Sequence, residues 1–119
     1  METTFRGVFL TSRNPEATAG FYRDVALLPI ETVGDPGSYV YWRLDRGGMQ
    51  VAIHDSAAFA DYAHPPVPDS NLTHLYFRID DREAFLAHLD GLGITPLAAD
   101  DVVITVADPD GRKVMFGTA

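Results

Sequence analysis

"GVFLTSRNPEATAGFYRDVALLPI", residues 7–30, can be laid without a gap over "HLYFRIDDREAFLAHLDGLGITPL", residues 74–97. In this register Val8 faces Leu75, Phe9 faces Tyr76 and Leu10 faces Phe77, while Glu16/Glu83, Ala17/Ala84 and Pro29/Pro96 are identical pairs. A second ungapped match follows: "DRGGMQVAIH", residues 45–54, lies over "DPDGRKVMFG", residues 108–117, matching Asp45/Asp108, Gly48/Gly111 and Val51/Val114. Two copies at so long a period do not make a solenoid, which needs several short repeats. They make a duplicated module.

Each module reads as strand, helix and then three strands. "VFLTS" and "LYFRI" have the aromatic and β-branched content of strands. Asn14 before Pro15 predicts a helix start, with a side-chain cap followed by a residue that has no N–H to leave unpaired. Asp80, with Glu83 three residues on, predicts a capping box for the second helix. Thr18, Phe21, Tyr22 and Val25 form one helical stripe, and Phe85, Leu89 and Leu92 another. Gly91 and Gly93 end the second helix. "SYVYWRL"/"MQVAIHD" and "DVVITVA"/"RKVMFGT" read as hairpins closed by Asp-Arg-Gly-Gly and Asp-Pro-Asp-Gly turns. The expected organisation is α+β: tandem βαβββ modules forming a curled mixed β-sheet trough with the helices packed outside. One domain is expected over 1–119. Module one covers about 5–55 and module two about 72–119, with a linker over about 55–72 stiffened by "PPVP".

The bulk numbers remove several classes of function. The chain has 119 residues, 46% hydrophobic and 22% charged, which suits a globular domain that can bury a core. It has no cysteine, so disulfides and thiolate metal sites are out. The formal charge of −8 repels phosphate backbones, and no basic cluster offsets it, so nucleic acid is not an expected partner. "METTFRGVFL" lacks the form of a secretory signal, and no apolar run approaches the roughly 20 residues of a membrane span. A cytoplasmic location and no membrane partner are expected. No glycine-rich phosphate loop, dinucleotide fingerprint or nucleophile motif is present, and no cofactor is expected.

The tandem βαβββ pattern, the Phe21-Tyr22-Arg23 stretch and the Asp-Pro-Asp-Gly turn together resemble the vicinal oxygen chelate superfamily, the group of glyoxalases, bleomycin-resistance proteins and extradiol dioxygenases. The resemblance covers essentially the whole chain. It implies sheets curled into troughs that hold a ligand, with two modules, from one chain or from two, forming each cleft of a homodimer. The superfamily contains enzymes and binding proteins alike, so fold does not decide function. Its metal enzymes place His, Gln or Glu at four inward positions, which the resemblance maps here to Gly7, Ala52, His74 and Met115. Only His74 can ligate a hard or borderline metal there, since glycine and alanine have no donor and a thioether is too soft. No metal site is expected.

Strand alternation then names the inward side chains. Phe9, His74, Tyr76 and Arg78 come from the opening strands, and Gln50, Ala52, His54, Lys113 and Met115 from the closing ones. If Asp45 pairs with Gly48, then Arg43 faces Gln50 and Tyr41 points inward, with Trp42 on the core side. A bulge near the turn would exchange Tyr41 and Trp42, and both stay candidates. The expected ligand-binding set is Phe9, Tyr41, Trp42, His54, His74, Tyr76, Arg78 and Met115. Such a lining suits a flat, largely apolar molecule. The expected function is metal-independent capture of a small aromatic natural product or antibiotic, as in resistance by sequestration. The alternative is an enzyme of the same fold: a divalent-metal lyase or dioxygenase, or a metal-free isomerase using His74 as acid and base. A third reading is an interaction domain whose cleft is filled by its own side chains. A site near Phe59, Tyr62 and His64 is the fallback should the trough not bind.

Overall fold

The computed structural model describes residues 1–2, 4–59 and 74–119. The linker residues Tyr62 and His64 and the "PPVP" segment therefore lie outside the described residues. The chain forms two compact units, Met1–Val67 and Pro68–Ala119, taken here one at a time.

The first unit runs β1 (Gly7–Ser12), α1 (Pro15–Asp24), β2 (Glu31–Gly34), β3 (Val40–Arg46), β4 (Met49–Asp55) and α2 (Ser56–Phe59). Its sheet has the order β1-β4-β3-β2, with β1 parallel to β4 and the other pairs antiparallel. Asn14 caps α1 as expected, accepting from the Ala17 amide at 3.2 Å. One face of α1 buries Thr18, Ala19, Phe21 and Tyr22, and with Leu10 and Ile53 from the sheet they form the core. Each large apolar side chain so buried contributes about 1.5–3 kcal/mol. The Ser12 hydroxyl donates to Thr18 Oγ1 at 3.0 Å, tying the end of β1 to the helix.

The second unit repeats the plan: β5 (Leu75–Arg78), α3 (Arg82–Gly91), β6 (Ala98–Ala99), β7 (Val103–Ala107) and β8 (Lys113–Gly117). The order β5-β8-β7-β6 reproduces the first sheet, again with one parallel pair, β5 to β8. The core is Leu75, Phe85, Leu89, Ile104, Val106, Val114 and Phe116. Phe85 brings α3 onto the sheet, its ring 4.5 Å from that of Phe116. The α+β architecture and the strand–helix–three-strand duplication read from the sequence are both present.

Three local expectations need correction. Asp81, not Asp80, caps α3, accepting from the Ala84 amide at 2.9 Å. The helix begins at Arg82, so its third amide is that of Ala84, and only a side chain at position 81 reaches it. Glu83 does not close a capping box; its carboxylate accepts from Arg82 Nη1 at 2.6 Å. Leu92 is not on the apolar stripe. It is the C-cap, 47% exposed, with Gly93 beyond it in the left-handed region.

The β3–β4 register is the third correction. Arg46 pairs with Met49, Asp45 with Gln50, Arg43 with Ala52 and Trp42 with Ile53. The loop is the two glycines Gly47 and Gly48, with φ of 62° and 90°. This is the tight turn whose twist matches the strands, and it outcompetes the two-residue loop Arg46-Gly47 expected from Asp45 opposite Gly48, because both of its central positions need positive φ and glycine supplies it at both. The slip is by two residues, and side chains alternate with a period of two, so every face assignment survives. Tyr41 stays on the face of Ala52 and His54. Trp42 stays opposite the buried Ile53, on the helix side.

Candidate functional site

His54 is the centre of the first unit's inner face. β1 and β4 pair in parallel with Phe9 beside Ala52 and Thr11 beside His54, which sets Phe9 and His54 on one face. Their ring centroids lie 5.0 Å apart. Tyr41 stacks on the imidazole at 4.8 Å and 12°. Tyr39 lies 5.8 Å away, and its hydroxyl shares a 2.7 Å hydrogen bond with His54 Nδ1. Phe59 of α2 completes the surround, 4.8 Å from His54 and edge-on to Phe9 at 6.0 Å.

This surround buries His54, leaving it 7% exposed. Loss of water disfavours the imidazolium and pushes the His54 pKa below the ordinary histidine value. The ring is therefore neutral at pH 7. Its Nε2 is buried and has no hydrogen-bond partner among the described residues, and the same holds for Oε1 of Gln50, on the same face of β4. Ala52, between them, is fully buried. The floor of this face is thus covered by the surrounding rings, of which Tyr39, Tyr41 and Phe59 are themselves half-buried. Phe9 alone of its rings is substantially exposed, at 47%.

The sequence set was incomplete here. Phe59 was assigned to a linker, not to the face of Phe9 and His54. The Asp55 carboxylate accepts from the amides of Ala57 and Ala58 at 2.9 and 3.1 Å. It thereby starts α2 and turns Phe59 back over His54. "DSAA" after a strand is the signal that could have shown it. Trp42 instead lines an open cavity of about 400 Å³, together with Arg13, Glu16, Tyr39, Val40, Asp55 and Ala58.

In the second unit Tyr76 pairs with Met115, and Met115 with Thr105, across neighbouring strands. The Tyr76 ring lies against the backbone of Gly117, where an added Cβ would meet its hydroxyl. That hydroxyl donates to the Ala119 carbonyl at 3.0 Å. Tyr76 is 44% exposed, and His74 and Arg78 are exposed at either end of β5. Gly117 is the residue that the repeat sets opposite His54. The two modules therefore present different surfaces at this point, an imidazole in the first and bare backbone in the second.

The residues at the superfamily's metal positions do not fit a metal. At Gly7 the backbone has φ of 146°, and a Cβ built there would collide with the Gln50 carbonyl oxygen. No ligating side chain can be placed at position 7 without moving the β1–β4 ladder. Ala52 has no donor atom, and Met115 has only a thioether. Among the described residues no group of three or more His, Asp or Glu is placed to hold a metal ion, and no helix is long and apolar enough to cross a membrane.

The glyoxalase-like domain family matches residues 7–116. The chain belongs to this family, within the vicinal oxygen chelate superfamily. Among similar solved structures is lactoylglutathione lyase from Agrobacterium tumefaciens, at 19% identity and a TM-score of 0.71, with 100% of this chain and 96% of that one covered. A glyoxalase-related enzyme from Fulvimarina pelagi matches at 16% identity and 0.75, covering 100% and 89%. An antibiotic-binding protein, TnmS3, from a Streptomyces species matches at 17% and 0.64, covering 98% and 96%. At these identities the likeness is one of fold. No curated protein sequence matches the chain significantly.

Proposed function

We propose that this chain is a metal-independent binding protein that captures a flat, largely apolar aromatic compound, of the kind found among antibiotics, and holds it without turnover. The observation that carries this reading is the neutral His54 set among Phe9, Tyr39, Tyr41 and Phe59. Aromatic pairs add about 0.5–1.5 kcal/mol each beyond area burial, so a ring entering this cluster has several partners. The fold likeness to an antibiotic-binding protein supports the same direction. The steric exclusion at Gly7 weighs against metal-dependent lyase or dioxygenase chemistry. His74, the acid–base candidate of a metal-free isomerase, stands exposed just ahead of β5. The same proposal includes a homodimer in the cytoplasm, with both modules acting as one domain.

The test is a thermal-shift and titration screen against planar aromatic antibiotics, followed by recovery of the bound compound. Stoichiometric binding with the compound chemically unchanged is the expected result. Turnover at substoichiometric protein would overturn it.

A further inference from the structure

Burying a polar atom without a partner costs free energy, and most proteins avoid it. Among the described residues His54 Nε2 is such an atom, at the centre of the aromatic cluster. Its chemistry follows from the other ring nitrogen. The Tyr39 hydroxyl lies 2.7 Å from Nδ1. Of the two directions the tautomers allow, a phenol donating to an imidazole nitrogen pairs the stronger donor with the stronger acceptor, and we assign the hydroxyl as donor to Nδ1 on that ground. A neutral imidazole then carries its proton on Nε2, which is left as an unused donor.

Resting on the reading of this face as a ligand site, we propose that His54 Nε2–H is its polar anchor, donating to a neutral carbonyl-type acceptor on a planar aromatic ligand whose ring takes the place now filled by Phe59. The acceptor is neutral because a carboxylate or phosphate would be stripped of water against three aromatic rings. A planar ligand suits this donor, because a carbonyl on a flat ring accepts in the ring's own plane and lets that ring lie coplanar with the imidazole. A ring system bonded edge to edge with His54 runs nearly parallel to Tyr41, which stacks within 12° of the imidazole. Phe59 is the replaceable neighbour. It lies on the single helical turn of α2 and meets His54 at a tilt of 42°, whereas Tyr41 is held by the β3–β4 ladder.

Two probes separate the parts of this proposal. 9-Fluorenone and fluorene share a three-ring frame and differ by one carbonyl. Wild-type protein is expected to bind fluorenone about tenfold more tightly than fluorene, as one buried hydrogen bond commonly allows. His54→Phe keeps a ring but removes the donor, and is expected to bind both probes equally. Tyr39→Phe leaves the core volume intact and releases the tautomer, and is expected to reduce the preference. Phe59→Ala removes the competing ring and is expected to tighten both probes. ¹⁵N NMR of the free protein is expected to show His54 protonated on Nε2. Equal affinities of the wild type for the two probes, or a proton on Nδ1, would overturn the anchor while leaving the binding site standing. Failure of both probes to bind would overturn the binding reading and the anchor together.

Discussion

Tyr41 and His54 lie face to face, ring centroids 4.8 Å apart and planes 12° from parallel, on adjacent strands whose pairing keeps both side chains on one face. Next along β3, Trp42 faces the other way and lines the open cavity beside α1. Aromatic surface is thus offered both to the cluster and to the cavity, which Tyr39 also lines, and mutation at Tyr41 and Trp42 can tell which of them binds.

Tyr41→Ala is expected to weaken binding of a planar aromatic ligand by about 1–3 kcal/mol, the usual cost of losing a buried aromatic anchor. Phe9→Ala should act in the same direction. Trp42→Phe should leave affinity unchanged. Titration monitored by ligand absorbance checks all three, and a large loss in Trp42→Phe alone would move the site to the cavity beside α1.

His54 has its pKa lowered by burial. The unfolded chain, with an ordinary histidine pKa of about 6.5, takes up the proton first as pH falls. This contribution to stability is fully present above that value and declines as pH drops from it toward the folded-state pKa. His54→Phe should remove this component. Urea unfolding at about pH 7.5 and about pH 5.5 should show a smaller loss of stability on acidification in the variant than in the wild type.

Asp81→Ala should cost about 1 kcal/mol through loss of the α3 cap, whereas Asp80→Ala should change stability by less than about 0.5 kcal/mol. Equal effects in thermal unfolding would mean that both carboxylates share the cap.

Asp108 has a fully buried side chain. Its Oδ1 accepts from the Asp110 and Arg112 amides, and its Oδ2 from Arg112 Nη1 at 2.8 Å. Asp108→Ala removes the main partner of a buried guanidinium and should destabilise the protein by about 3–5 kcal/mol. Chemical denaturation measures it directly.

The purified protein should contain no stoichiometric divalent metal, and exhaustive chelation should leave its melting temperature unchanged. Elemental analysis showing one metal per chain, lost on His74→Ala, would contradict this.

The duplication was legible because topology repeats where spacing repeats: both sheets have the same order, and the paired Phe9 and Tyr76 lie on equivalent strands. The choice between Tyr41 and Trp42 was left open by the sequence, because a one-residue bulge would exchange them; the observed slip is of two residues, which leaves the alternation intact and puts Tyr41 on the face of His54. Other features lie outside what the repeat and the alternation encode. Asp80 and Asp81 are equivalent as residues, and only the true start of α3 selects between them. Phe59 joins the cluster because Asp55 turns the chain back after β4. His54 Nε2, unpartnered among the described residues, is buried only once distant rings have gathered around it.

The close approach of Gly7 to the Gln50 carbonyl also bears on what this protein can become. Any codon change at position 7 that installs a carboxylate or imidazole meets a backbone clash in a conformation that L-residues rarely adopt. The folding defect arrives before the coordination bond does. Selection working one substitution at a time thus faces a barrier on the route to metal chemistry, while replacements at Phe9, Tyr41 and Phe59 remain open to it. The lineage is free to change which molecule it holds far more readily than to acquire metal-dependent catalysis.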